Sequence, residues 1–336
     1  MADTTIPIEK SIDALSAVEK NLNRYFLGKA EVIEMMMISA IASEPLLLVG
    51  PPGTGKSDMA IKLVEAFGFA HEDYFEYMLT RFTEPSEIFG PIDIELLKAG
   101  KYVRRTGGML PEARIVFLDE VFKANSAILN MLLTVLNEKK FYQDGKPVPV
   151  KLEVLFAASN EVPEISELDA LKDRFVLKVE SRQVWSAATN PQEADSNLLD
   201  LLTLGIGNEY YAFSGEKPWA GDEDLSEHLR NVRKTAFSGL VGQHREETLA
   251  LTKEWFPDPI LHLFHDILKA LEMEMPDSVR ITDRKVIKLL KLLAVRALFR
   301  KRRQINEEDV GRLLACVAER NFADVKARVQ RMIHAG

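Results

Sequence analysis

Apolar residues recur along this chain in two different rhythms. Leu46 to Val49, Ile115 to Leu118, Leu152 to Ala158 and Phe175 to Val179 are short runs that are apolar at nearly every position, and Tyr74 to Leu79 is a weaker one. Between them the spacing changes to three and four: Glu19 to Ser43 with a break near Gly28, Ser57 to Phe67 (Met59, Ala60, Leu63, Val64, Phe67), and Ile128 to Leu136. The first rhythm predicts buried strands and the second amphipathic helices. Strands that are apolar on both faces are expected where helices cover both sides of a sheet. The first ~180 residues therefore predict a three-layer αβα arrangement around a parallel sheet.

Two stretches interrupt the alternation. Pro91 to Thr106, with Gly100 between two short strand-like runs, predicts a hairpin. Asp144-Gly145, between Phe141-Tyr142 and Val148 to Val150, predicts another. After Gln183 the periodicity weakens, and residues 184–224 read as a connector with short helices. From about Leu225 the helical spacing returns, most clearly in Arg284 to Phe299, where Val286, Leu289, Leu290, Leu293, Ala294, Ala297 and Leu298 make one stripe. Asn306 offers an N-cap, with Glu307 and Glu308 in the first turn of a last helix through Val317. The expected organisation is an α/β core over residues 1–183, a connector over 184–224 and a small all-helical domain over 225–336.

Composition narrows the class. The 336 residues are 46% hydrophobic, enough for a sizeable core, but no run approaches the ~18 apolar residues of a membrane span. The N-terminus has no basic-then-apolar pattern of a secretory signal, and the single cysteine, Cys316, excludes an intramolecular disulfide. Both fit a cytoplasmic protein. Cys316 lies in an apolar helical pattern and reads as a buried thiol. A net charge of −8 argues against nucleic acid as the main partner, and the short basic run Arg300 to Arg303 reads as a solvated helix end. His262 and His265 share a helix face, but a metal there would need further ligands.

The chemistry sits at the ends of the predicted strands. Gly50-Pro51-Pro52-Gly53-Thr54-Gly55-Lys56-Ser57 follows one strand and opens a helix. Glycines there let the backbone wrap a triphosphate, and the helix N-terminus adds partial positive charge. Lys56 would reach the β- and γ-phosphates of ATP, and the Ser57 hydroxyl would coordinate Mg²⁺. About sixty residues on, Ile115 to Leu118 places Asp119 and Glu120 at a strand end, Asp119 for the metal and Glu120 to polarise the attacking water. Asn160 ends a third strand, where its amide could hold water or γ-phosphate or simply cap a loop.

These motifs together resemble the AAA+ ATPases, and within them the MoxR family, most closely its RavA-like branch. The resemblance runs through Gly50 to Ser57, Thr80 to Ile94, Gly107 to Asn125, Ile128 to Phe141 and Phe156 to Phe175. It implies an AAA+ core with a helical lid, a hexameric ring, and a partner carrying a von Willebrand A domain. It implies sensor 1 at Asn160, an arginine finger at Arg174, sensor 2 at Arg284 at the start of a lid helix, and adenine contacts from Phe26, Leu27 and Gly28. The residues alone leave a salt bridge with Asp173 open for Arg174 and a first-turn basic residue open for Arg284, with Arg280 and Arg296 close by. The two predicted hairpins resemble inserts that line the pore or face of such rings. The implied function is ATP-driven remodelling or maturation of a protein client that the sequence does not name. A nucleic-acid motor sharing the same core and a slow nucleotide switch are the other readings. The absence of an Asn-Lys-x-Asp motif argues against GTP.

Overall fold

The computed structural model describes residues 6–184 and 191–335. Five parallel strands form the central sheet: β1 (Leu46–Val49), β2 (Tyr74–Met78), β3 (Ile115–Asp119), β6 (Val154–Ser159) and β7 (Leu177–Glu180), in the order β2-β3-β6-β1-β7. β4 (Lys140–Gln143) and β5 (Lys146–Pro149) make a separate antiparallel pair. Alternate residues of each strand face two different apolar layers. Leu46, Leu48, Ile115 and Phe117 join the layer formed with the helices Ile8–Leu22, Ala30–Ala42 and Lys56–Ala66. Leu47, Val49, Val116 and Leu118 join the layer that holds the helix Ser126–Glu138. This is the αβα sandwich the strand composition predicts.

The helices Ser226–Ser238, Arg245–Trp255, Asp258–Glu274, Asp283–Phe299, Glu307–Leu314 and Phe322–Ala335 form the all-helical region. It packs on the helix Ala30–Ala42, which is buried at all but its first two positions because sheet and helices enclose it. Ion pairs complete the seam. Arg296, fully buried, bonds Glu34 on that helix as well as Glu308 and Asp309. Arg300 bonds Glu19 and Glu34. The basic run at 300–303 is thus partly a docking seam and not only a solvated helix end. Cys316 is buried, and burial pushes its thiol pKa up. Among the described residues no helix is long and apolar enough to cross a membrane.

Three expectations are corrected. Pro91 to Thr106 is a single antiparallel bridge, Ile92 to Arg104, around a helical turn Ile94–Lys98. The Asp93 carboxylate accepts the Glu95 and Leu96 N–H groups and nucleates that helix. Among the described residues of the 184–224 stretch there is one helix, Pro191–Ser214, and not several short ones, and 185–190 lie outside the described residues. A further helix, Phe322–Ala335, follows the one capped by Asn306. The Asp144-Gly145 hairpin forms as expected, with positive φ at both turn residues (50° and 72°).

Candidate active site

Sheet order assembles the site. β6 lies between β1 and β3, so Asn160, just past its end, falls between the loop after β1 and the acids after β3. Gly53 and Gly55 both take φ +78°, and a Cβ added at either would meet nothing within 4 Å. Their glycine character serves backbone shape and open space, as an anion cradle requires. Gly50 is different: a Cβ there would lie 2.4 Å from the Ser181 carbonyl oxygen, so the loop is seated tightly against the end of β7. The Lys56 ammonium donates to the Gly50 and Pro51 carbonyls at 2.6 and 3.0 Å. Burial lowers its pKa, while Asp119 and Glu120 nearby oppose the shift.

Glu120 is buried and sits in the left-handed region at φ 52°. The Asn160 Nδ2 donates to its Oε1 at 2.8 Å, and Lys123 Nζ stands 3.3 Å from the same oxygen. Asp119 accepts the Glu120 N–H at 2.8 Å. The two acids are therefore held apart in role, one at the strand end and one clamped by an amide. Ser57 and Asp119 offer hard oxygen donors beside an open glycine cradle, a set that fits Mg²⁺ and a triphosphate.

Beside the loop is a cavity of about 270 Å³ lined by Phe26, Leu27, Lys29, Gly53 to Gly55, Asp58 and Val184. Phe26 and Leu27 line this cavity beside the loop, while Gly28 lies outside it with φ +64° and packs against Val184. The far wall is Leu201, Leu204, Gly205 and Asn208 of the helix Pro191–Ser214, which sequence reasoning missed. Lys29, inside the Phe26 to Ala30 segment but not singled out in it, lines the cavity as well. Its Nζ donates to Ser181 Oγ at 2.9 Å and to the Arg182 carbonyl at 2.5 Å. Burial first, and then the Lys56 charge, lower its pKa from 10.5 to about 8. A lysine just after the aromatic Phe26 was the signal available.

Arg174 and Arg284 stand elsewhere. Both flank Asp173, which precedes β7, so they lie at the opposite end of the sheet from the loop of their own chain. Arg174 Nη1 bonds Asp173 at 3.0 Å, but its buried Nε has no hydrogen-bond partner among the described residues. Burial and then the Arg284 charge hold its pKa below the usual arginine value. Arg284 is half exposed, 3.9 Å from Asp173, and lines a cavity of about 820 Å³ with Lys139, Arg233, Lys288 and Lys291. The structure therefore unites the Lys56, Asp119, Glu120 and Asn160 set, and keeps both arginines together but apart from it.

Comparison with known proteins adds family and fold. Residues 13–205 match the profile described as the MoxR domain in MoxR–vWA–β-propeller ternary systems, and residues 259–333 match an AAA lid domain. Two uncharacterized proteins of Methanocaldococcus jannaschii are 43% and 42% identical over 191 and 188 residues, covering 56% of this chain in each case. The matched region is 47% and 48% of those relatives, so the chain spans about half their length. A Bacillus cereus protein named chaperone protein ClpB is 24% identical over 203 residues, 54% of this chain and 23% of its own. A solved structure from Cytophaga hutchinsonii, described only as a candidate ATPase, superposes with a TM-score of 0.65 at 14% identity, over 97% of this chain and 95% of that one. That likeness concerns the fold alone.

Proposed function

This chain belongs to the MoxR family of AAA+ ATPases, and from that premise we propose that it hydrolyses ATP at a site completed by a second copy of itself, to remodel or mature a protein client. The carrying observation is the Glu120 carboxylate, buried and clamped by the Asn160 amide next to Asp119 and the phosphate loop. Glu120 is the proton acceptor for the attacking water, and Asn160 fixes its position. Lys56 and the loop N–H groups bind the phosphates, while Phe26 and Leu27 bound the adenine cavity. Mg²⁺, held through Ser57 and Asp119, would neutralise phosphate charge.

Arg174 supplies the finger in trans, because it cannot serve the loop of its own chain from the opposite end of the sheet. Arg284 shares Asp173 with it and therefore accompanies it to the neighbour's nucleotide. An in-trans arginine is worth about 10³–10⁵ in rate, so turnover depends on assembly, for which a closed hexameric ring is the reading. The family profile's description supports a von Willebrand A partner, and the cytoplasm is the compartment proposed. The test mixes two crippled variants. Arg174→Ala and Glu120→Gln each turn over only at a small residual rate alone, and mixing raises it, because some interfaces then pair an intact Glu120 with an intact Arg174. No recovery at any ratio refutes the shared site.

A further inference from the structure

The helix Pro191–Ser214 is apolar on two opposite sides. Ala194, Asn197, Leu204, Asn208 and Tyr211 face the body of the protein. Tyr211 locks into edge-to-face contacts with Tyr25 and Trp219, and Leu204 and Asn208 wall the adenine cavity. On the other side Leu199, Leu202, Ile206, Tyr210 and Phe213 are 66, 54, 71, 53 and 92% exposed. At 100° per residue these five fall within about 80° of arc, roughly opposite the packed face. A stripe of five large apolar side chains along four turns of helix is an interaction surface and not scattered exposure.

Charge says what covers it. The segment 191–214 contains Glu193, Asp195, Asp200 and Glu209 and no lysine, arginine or histidine. The face that carries Arg284 is the complement. Lys139, Arg233, Arg284, Lys288 and Lys291 line its cavity against the carboxylates Glu44 and Glu138. Ile287, 70% exposed, stands one turn after Arg284 on the same helix and lines the same cavity. The acidic, apolar helix adjoins the nucleotide cavity, and the basic face with its exposed isoleucine adjoins Arg174.

We propose that the stripe Leu199, Leu202, Ile206, Tyr210 and Phe213 docks against the cation-lined face around Arg284 and Ile287 of the next copy of this chain. This rests on the in-trans reading of Arg174, since the same approach brings that arginine toward the nucleotide. The contact joins two different patches, so it propagates head to tail and closes when the rotation permits a ring. Because the inner face of the helix walls the adenine cavity, nucleotide and neighbour bind opposite sides of one element, and each favours the other.

The full-length chain with ATP and magnesium, measured by sedimentation, tests this. Wild type assembles, whereas Ile206→Asp and Phe213→Ser remain monomeric over at least a tenfold higher concentration range. Both keep the wild-type melting profile, since those side chains face solvent, and bind a fluorescent ADP analogue as a wild-type monomer does. With Cys316 buried, an introduced cysteine is the reactive thiol. A bismaleimide gives a ladder of oligomers for the double variant Ile206→Cys/Ile287→Cys, and only dimers when the two single variants are mixed. If wild type assembles and Ile206→Asp assembles equally well, the docking surface is refuted while the shared site stands. Crosslinking of Ile206→Cys to itself also refutes it. A wild type that stays monomeric with ATP bound at all concentrations removes the shared site as well.

Discussion

Replacing Asn160 by alanine separates positioning from binding. The amide donates to Glu120 Oε1 at 2.8 Å, in a pocket where Glu120 is buried and φ is 52°. A hydrogen bond to a charged group contributes about 1.5–3 kcal/mol, and the surroundings here are only partly open to water. If that energy serves to hold the carboxylate toward the attacking water, its loss costs about one to two powers of ten in kcat at 1.4 kcal/mol each. KM for ATP should stay within a few-fold, because Asn160 does not line the cavity bounded by Phe26 and Leu27 and its amide is engaged by Glu120. Freed, Glu120 keeps Lys123 at 3.3 Å as its partner and should turn toward it. The assay is steady-state phosphate release for wild type, Asn160→Ala, Glu120→Gln and the double variant. Acting through Glu120, the alanine adds little once Glu120 is already glutamine, so the two losses are strongly non-additive. Fully additive losses would mean that Asn160 acts independently of Glu120, and would refute the clamp.

Three further outcomes follow from the same geometry. ATP affinity should fall as pH rises through about 8: Lys29 titrates there in the free protein, and a bound polyanion favours its charged form, so binding above that pH must take up a proton. Isothermal titration in buffers of different ionisation enthalpy reads that proton directly, and Lys29→Met should remove it. Arg296→Met leaves buried Glu34 with Arg300 alone and buried Asp309 with Arg302 alone in the seam between the N-terminal and C-terminal helices, and should destabilise by about 3 kcal/mol in urea unfolding. An unchanged midpoint would show that Arg300 and Arg302, which also reach these acids, carry the seam. Gly50→Ala sets a Cβ 2.4 Å from the Ser181 carbonyl and should cost about 1–3 kcal/mol of stability together with nucleotide affinity. Wild-type melting would show that the end of β7 yields freely.

Much of the core was legible because most of its strands are apolar at nearly every position. β1 falls where Leu46 to Val49 predicts it, and β3 extends the expected run by one residue, Asp119. That the Gly50 to Ser57 loop and the acids Asp119 and Glu120 come together was legible for a chemical reason, since the triphosphate cradle proposed for them admits few residue types at few spacings. The helix Pro191–Ser214 was not legible because it carries apolar residues on opposite faces. Two stripes half a turn apart cancel the periodicity by which a one-sided helix is recognised, and Gly205 and Gly207 in its middle read as turn residues. The location of Arg284 was illegible for another reason. Spacing in the chain places it at the start of a helix, but only the packing of that helix behind the sheet puts it beside Asp173 and away from Lys56. Asp93 betrayed its capping role only in three dimensions, where it turns an expected strand pair into a helix.

The two excursions from the sheet are laced together. The Tyr102 N–H donates to the Asp144 carboxylate, the Asp144 N–H donates back to the Tyr102 carbonyl, and the Arg104 N–H donates to the Gln143 side chain. Neither can be trimmed alone, because shortening the β4–β5 turn removes the acceptors that Tyr102 and Arg104 rely on. Whatever force bears on one of them is carried by both, so they are one mechanical unit rather than two independent fingers.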